Sequence, residues 1–370
     1  MHKDERIVQL AENIIKNSVC LKKGEQIYIE AIGVSTLPFM QELVKVSTVV
    51  GGVPFYYFND QSLQKEFIEN ASIVQLKALA EVHKQLMSTS KAYVGVRGND
   101  DLFLLSSVSA DKMNAYMKYY WNPVHSEIRV PKTKWCVMRY PNAAFAAMSK
   151  MPLEEFENFY FDACLVDYAK MSKAMKPLKK LMDKTKKVRI IAPNTDLEFS
   201  IAGLKAVICD GKLNVPDGEV YTAPVKDSIN GVVQFNTDTS YLGTVYSNIS
   251  LVFKNGKIIE GHSQVNDEKF QKILNIDEGA RYMGEFALGV NNQITRPMLD
   301  ILFDEKIGGS FHMAIGNSYE DETNNGNKSA IHWDLVQMQD VEHGGGEIWF
   351  DDVLIRKDGK FVLKELADLN

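Results

Sequence analysis

The feature that most constrains this chain is a change of rhythm near its middle. Helix-length and strand-length apolar runs alternate over the first half, and short strand-like runs cut by turn dipeptides fill the second. In the first half, Ile7, Leu10, Ala11, Ile14 and Ile15 recur at helical spacing, with Gly24 as a stop signal. Residues 26–31 read as a strand, 36–50 as a helix that tolerates Pro38 in its first turn, and 53–58 as a strand. Residues 73–87 then suit a helix and 92–96 another strand. This alternation predicts an α/β domain with a largely parallel sheet. No G-x-G-x-x-G or G-x-x-x-x-G-K-[ST] follows any of these strands, so neither a dinucleotide nor a P-loop fingerprint is present.

Residues 134–141 read as a strand ending at Pro141, and 143–171 as helices broken near Pro152. Residues 173–189 then hold eight basic side chains around one acid, Asp183. A solvated helix face leading into a linker is preferred there over a phosphate or nucleic-acid patch. The main boundary is therefore placed at that point: an N-terminal α/β domain with a helical connector over 1–187, and a C-terminal domain over 188–370. Strand-like runs follow at 188–192, 197–201, 231–235, 250–254, 310–315 and 347–354, separated by turns such as Asp210-Gly211, Asn255-Gly256 and Asp358-Gly359. A helix near 268–274 and a second from Asp277 into the Gly284 region interrupt them. The C-terminal half is thus expected to be a β-rich α+β catalytic domain.

Charge and cysteine usage narrow the function. Lys plus Arg number 42 and Asp plus Glu 48, and the net charge of −6 argues against a dedicated nucleic-acid binder. Cys20, Cys136, Cys164 and Cys209 form no CxxC pair, which argues against a disulfide framework and a thiolate zinc site. Asp4, Glu5 and Arg6 leave no secretory h-region, and no uncharged apolar run reaches eighteen residues. A soluble protein of a reducing compartment, the cytoplasm, with no membrane partner, is expected.

Between Asp300 and Asp352 stand twelve carboxylates, only two basic residues (Lys306 and Lys328) and three of the seven histidines. A bound divalent cation is the simplest compensation for such a stretch, and a well-solvated acidic surface is the competing reading. Period two sends His332 and Asp334 to one face of a strand-like run, where they could share a metal or form a hydrogen-bonded pair. His312 sits in an apolar strand pattern flanked by glycines, as a ligand or a core histidine. Tyr319 could donate to a developing oxyanion or cap a turn. Glu219 stands at the edge of an apolar run after Pro216-Asp217-Gly218. Glu285 lies among Gly284, Phe286 and Ala287, and a buried glutamate should meet a cation, an arginine or a donor. Glu305 is a further candidate, with an exposed pair to Lys306 as the plainer alternative. H-E-x-x-H and G-x-S-x-G are absent, so His343-Gly344-Gly345-Gly346 reads as a loop rather than an esterase oxyanion hole. His2, His83, His125 and His262 have no ligand-like company and read as structural or exposed.

Several segments in order carry a family resemblance. They are Trp135-x-x-x-Arg139-Tyr140-Pro141, Asn214-x-Pro216-Asp217-Gly218-Glu219-Val220-x-Thr222-Ala223-Pro224 and Asp277-Glu278-Gly279-Ala280-Arg281. Gly284-Glu285-Phe286-Ala287, Leu302-Phe303-Asp304-Glu305-Lys306-Ile307-Gly308-Gly309, His312-x-Ala314-x-Gly316-x-Ser318-Tyr319 and Ser329-Ala330-Ile331-His332-Trp333-Asp334 follow. Together they resemble the thermophilic-type metalloaminopeptidase family, two-metal exopeptidases of the aminopeptidase T and S kind, over most of the chain. Asn142, where relatives commonly carry threonine, and Val215, where methionine is frequent, depart from the pattern without replacing a ligand.

The resemblance implies that Glu219, Glu285, His312, His332 and Asp334 hold two divalent ions, of zinc, cobalt or manganese. It implies that Tyr319 is the active-site tyrosine, and it leaves Glu305 open as ligand or base. A homodimer acting on peptides with a free N-terminus is also implied. In such chemistry a water shared by two ions is activated for attack. A non-catalytic metal- or peptide-binding protein on the same scaffold, or a related metal-dependent amidase, are the alternatives.

Overall fold

The computed structural model describes residues 4–370, and His2 lies outside them. The chain divides into two compact units, one of residues up to Leu165 with Gly211–Pro216, the other of Val166–Asp210 with Asp217–Asn370. Among the described residues no helix is long and apolar enough to cross a membrane.

The first unit is built on a five-stranded parallel sheet. Its strands lie in the order Val53–Asn59, Gln26–Ile32, Ala92–Arg97, Lys134–Arg139 and Asn214–Val215. Strand Gln26–Ile32 is buried at nearly every position, as a parallel strand covered on both faces must be. Helix Ile73–Thr89 starts at a reciprocal capping box of Ser72 and Gln75 and buries Leu76, Ala80, His83 and Met87. Helix Leu37–Val49 carries Pro38 in its first turn, as anticipated. The stretch Met117–Arg129 is a wide-turned π-helix with Pro123 inside it. A proline has no N–H to give to a regular α-helical ladder.

The second unit stacks two antiparallel sheets. The larger runs Lys257–His262, Ile249–Lys254, Asn230–Phe235, Thr195–Ser200, Lys187–Ala192, Glu347–Phe350, Val353–Lys357 and Lys360–Phe361. The smaller runs His332–Met338, Ser310–Gly316, Met283–Gly289, Glu219–Thr222 and Val207–Cys209. One apolar core lies between them, with the Phe199 ring 5.0 Å from that of Phe286 and Phe235 packed near Phe311.

Three expectations meet a different outcome. Helix Tyr168–Met182 does expose Lys173, Lys176 and Lys180, but Ala174, Met175, Leu178 and Met182 enter the second unit's core. The compact units therefore part at 165/166, ahead of this helix, and not at 187/188. Residues 347–354 are two strands, because Asp351 and Asp352 turn the chain at positive φ of 46° and 64°. The helix expected from Asp277 is a single turn, Gly279–Arg281, followed by strand Met283–Gly289. That strand has a hydrogen-bonded neighbour on each side, and the two ladders override the helical propensity of its residues.

Candidate metal centre

The smaller sheet of the second unit has one face in the core and one face carrying chemistry. Phe286, Leu288, Phe311, Met313, Ile315, Trp333 and Leu335 belong to the core. Period two sends the alternate residues to the other side. In register, Glu285 lies opposite Ala314, which lies opposite Asp334; Ala287 lies opposite His312; Gly289 opposite Glu219; and Gly316 opposite His332. Acids and imidazoles thus alternate with Ala287, Gly289, Ala314 and Gly316, whose small or missing side chains leave space between them. Gly218, at φ 133°, makes the turn that delivers Glu219 and leaves no room for a Cβ against Asn291 and Met171. Its carbonyl accepts from Val290 N–H at 2.9 Å, and the Asn291 amide donates to the Asp217 carbonyl at 2.9 Å.

The sheet brings all five proposed ligands together. His312 Nε2 lies 3.4 Å from Glu219 Oε2 and 3.5 Å from Glu285 Oε1. His332 Nε2 lies 3.2 Å from Glu285 Oε2 and 3.4 Å from Asp334 Oδ1. Glu219, Glu285 and His312 form one group with donor atoms within 4.8 Å of one another, and Glu285, His332 and Asp334 form a second. Glu285 belongs to both, with one oxygen toward each imidazole.

The surroundings aim these donors inward. His312 Nδ1 meets the Glu305 carbonyl at 2.9 Å and His332 Nδ1 meets the Asn317 carbonyl at 2.7 Å. A carbonyl only accepts, so each Nδ1 carries a proton and each Nε2 faces the acids. Asp277 accepts from Ala330 N–H at 2.7 Å and from the Ser329 hydroxyl, pinning the segment that leads into His332. Yet Glu219 Oε2, His312 Nε2, His332 Nε2 and Asp334 Oδ1 are buried without a hydrogen-bond partner. Four orphaned atoms converging from carboxylates and imidazoles are the donor set a divalent cation requires, so the residues fit such an ion.

The protein-only electrostatics agree. Burial alone would discharge His312, but Glu285 and Glu219 reverse this and carry its pKa up to about 10. Burial raises the Glu219 carboxyl to about 8 against the pull of Lys306 and His312. Burial likewise opposes ionisation of Asp334, but His332 overcomes it and holds the carboxyl near about 2. Without a cation, protons must do the neutralising.

Glu305 joins His312 and Asp334 in a third group of donors within 4.8 Å. The exposed Glu305–Lys306 pair offered by sequence is not what forms: Lys306 is wholly buried, touches the Glu305 carboxylate and lies 3.7 Å from Glu219 Oε1. Sequence reasoning missed this lysine's place. The available signal was a lone cation inside Asp304-Glu305-Lys306-Ile307, a run that turns apolar and glycine-rich at once. Tyr319 is 42% exposed, its ring centroid 4.8 Å from that of His332. His83 and His125 are buried in the first unit, and His262 is exposed.

A buried sheet face that gathers three carboxylates and two imidazoles, with their inward atoms unpartnered, defines a protein built to hold cations. The chain belongs to the thermophilic metalloprotease (M29) family, whose model matches residues 3–361. It is similar to Aminopeptidase T of Thermus aquaticus, 24% identical over 388 residues, covering 92% of this chain and 94% of that protein. It is also similar to Aminopeptidase AmpS of Bacillus subtilis (strain 168), 36% identical over 110 residues, or 29% of this chain. The matches to AmpS and to Aminopeptidase 2 of Geobacillus stearothermophilus span 26% and 37% of those relatives' own lengths. Among solved structures, wild-type AmpT from Thermus thermophilus matches at a TM-score of 0.82 and 22% identity, over 97% of this chain and 99% of that one. A 2,5-dihydroxypyridine dioxygenase from Pseudomonas putida KT2440 matches at 0.61 and 12% identity, over 97% and 98%. These two likenesses are of fold.

Proposed function

We propose that the chain is a metal-dependent aminopeptidase that removes the N-terminal residue of peptides, with two divalent cations held by Glu219, Glu285, His312, His332 and Asp334. The observation that supports this reading is the pair of donor groups that overlap at Glu285 alone, so that Glu285 would be shared between the two ions. Zinc, cobalt and manganese all suit such nitrogen and oxygen donors. When bound, such ions supply Lewis acidity toward a scissile carbonyl and lower the pKa of water.

The remaining work falls to the chain's own residues. The Glu305 and Asn317 carbonyls hold the two imidazoles in the tautomer that offers Nε2. The Glu305 carboxylate, next to His312 and Asp334, takes the proton of the attacking water and returns it to the leaving amine as the C–N bond breaks. The Tyr319 phenol, protonated at neutral pH, stands beside His332 and donates to the carbonyl oxygen as it gains charge. A metal or a carboxylate of the pocket would meet the free α-amine that an exopeptidase must recognise. The family resemblance extends the reading to a cytoplasmic homodimer.

Aminoacyl-p-nitroanilide hydrolysis tests the reading. Turnover should vanish with a chelator and return with Zn²⁺, Co²⁺ or Mn²⁺, and His332→Ala should abolish it while the fold persists. Undiminished turnover in that variant rejects the assignment. Ion binding with no turnover on any peptide would favour a non-catalytic scaffold, and cleavage of simple amides alone would favour an amidase.

A further inference from the structure

We propose that Lys306 is a positioning residue of this centre: its buried ammonium stands between Glu305 and Glu219 Oε1, and so leaves Glu219 only Oε2 for a metal. The inference rests on the metal-centre reading above and deepens it.

The Lys306 side chain is completely buried, and a buried ammonium is tolerated only when paired. Its partners are acids of the site itself. Nζ touches the Glu305 carboxylate and lies 3.7 Å from Glu219 Oε1, while Glu219 Oε2 faces His312 Nε2 at 3.4 Å and has no hydrogen-bond partner. The two oxygens of Glu219 therefore have separate tasks, one toward the lysine and one toward the imidazole.

The backbone fixes this division. Lys306 N–H donates to the Phe303 carbonyl at 3.0 Å, and the Lys306 carbonyl accepts from Asn291 N–H at 3.1 Å. Asn291 is the residue whose amide holds the Asp217 carbonyl, so lysine and acids hang from one hydrogen-bonded frame. Cys209, Asp217 and Glu219 also have donor atoms within 4.8 Å of one another, a fourth such group. Lys306, paired with Glu219, already supplies a positive charge beside this group.

Cobalt reports this arrangement without any assay of turnover, because its visible absorption weakens as coordination number rises. Wild-type protein and Lys306→Met are titrated with Co²⁺, with bound metal counted and folding checked by circular dichroism. In the variant, Glu219 is free to chelate through both oxygens, and absorption per bound cobalt should fall about twofold. A folded Lys306→Met with the wild-type spectrum overturns the inference while leaving the metal centre intact. Failure of wild-type protein to bind cobalt sinks the metal-centre reading instead. A crystal structure of the wild-type protein with Zn²⁺ decides the matter even if the variant does not fold. Glu219 bound through Oε2 alone, with Oε1 on Nζ, supports the role; chelation through both oxygens, or an ion in place of the ammonium, overturns it.

Discussion

Glu30 lies on the strand Gln26–Ile32 of the first unit's parallel sheet, and Glu285 on the strand Met283–Gly289 of an antiparallel sheet in the second. They are buried alike, at 6% and 2% exposure. Their surroundings differ. Around Glu30, the Tyr93 hydroxyl and the Arg97 guanidinium both donate to one carboxylate oxygen, the latter at 2.7 Å. Burial there favours the neutral acid, but Arg97 and these hydrogen bonds overcome it and bring the carboxyl down to about 2. Arg129 adds its charge over the rings of Trp135, at 4.5 Å, and Tyr93. Around Glu285 the neighbours are two imidazole nitrogens without a hydrogen-bond partner and further carboxylates. One charge is neutralised by the chain, and the other is left for something the chain does not contain. Burial does not separate a structural acid from a ligand; the presence or absence of protein donors does. The dioxygenase likeness makes the same point at the level of fold, since the architecture alone does not fix the reaction.

The sharpest way to break this comparison is to neutralise both acids. Glu285→Gln removes the charge shared by the two donor groups, and turnover should fall by at least ~10³, with metal content lost in step. Metal-free Glu285→Gln should lose less stability than Glu30→Gln, because Glu219 and Asp334 still face the two imidazoles that Glu285 leaves. Glu30→Gln should do the reverse. It leaves Arg97 without its buried counter-charge and should cost about 3–5 kcal/mol in urea unfolding, while metal content is unchanged. If metal-free Glu285→Gln lost as much stability as Glu30→Gln, the distinction between the two clusters would collapse.

Legibility in the sequence followed element length and locality. The helices and parallel strands of the first unit were readable because each spans several periods of its pattern. In the second unit, Val207–Cys209 and Glu219–Thr222 are too short to show a period, and only pairing with neighbours makes them strands. Met283–Gly289 misleads because Glu, Ala and Leu favour helices, and its strand state is decided by partners distant in sequence. His332 and Asp334 could be paired from period two alone. Glu219, Glu285 and His312 were separately visible as acids or imidazoles in apolar company, but their convergence came from the family resemblance. Lys306 was not legible as a buried residue. A lysine beside a glutamate reads as a surface pair, and only the turn carrying Asp217 and Glu219 into the same pocket gives it partners deep enough to bury it.

The smallest expected effect separates the units by pH. His125, on the π-helix Met117–Arg129, is buried, and burial holds its imidazole down to about 4 against the attraction of Glu30. In the unfolded chain the same group titrates near about 6.5. A depressed folded-state pKa contributes stability that is complete above the unfolded value and is lost as pH falls toward the folded one. The first unit should therefore weaken between pH ~6.5 and ~4, by no more than about 3 kcal/mol, before Glu30 adds its own loss below ~4.5. The second unit has no counterpart outside its centre, because His262 is exposed and His343 pairs with Asp340 at 2.8 Å on the surface. Amide hydrogen exchange followed from pH 7 to pH 4 and corrected for intrinsic rates should show protection falling in Gln26–Ile32 and Ala92–Arg97 while Lys187–Ala192 and Asn230–Phe235 hold. His125→Phe keeps an aromatic ring and removes the more strongly shifted imidazole, so it should reduce that early loss and leave only the share of His83, which burial also lowers. Equal acid sensitivity in both units, or a loss in the first that is undiminished in His125→Phe, would place the pH response in groups other than this buried imidazole.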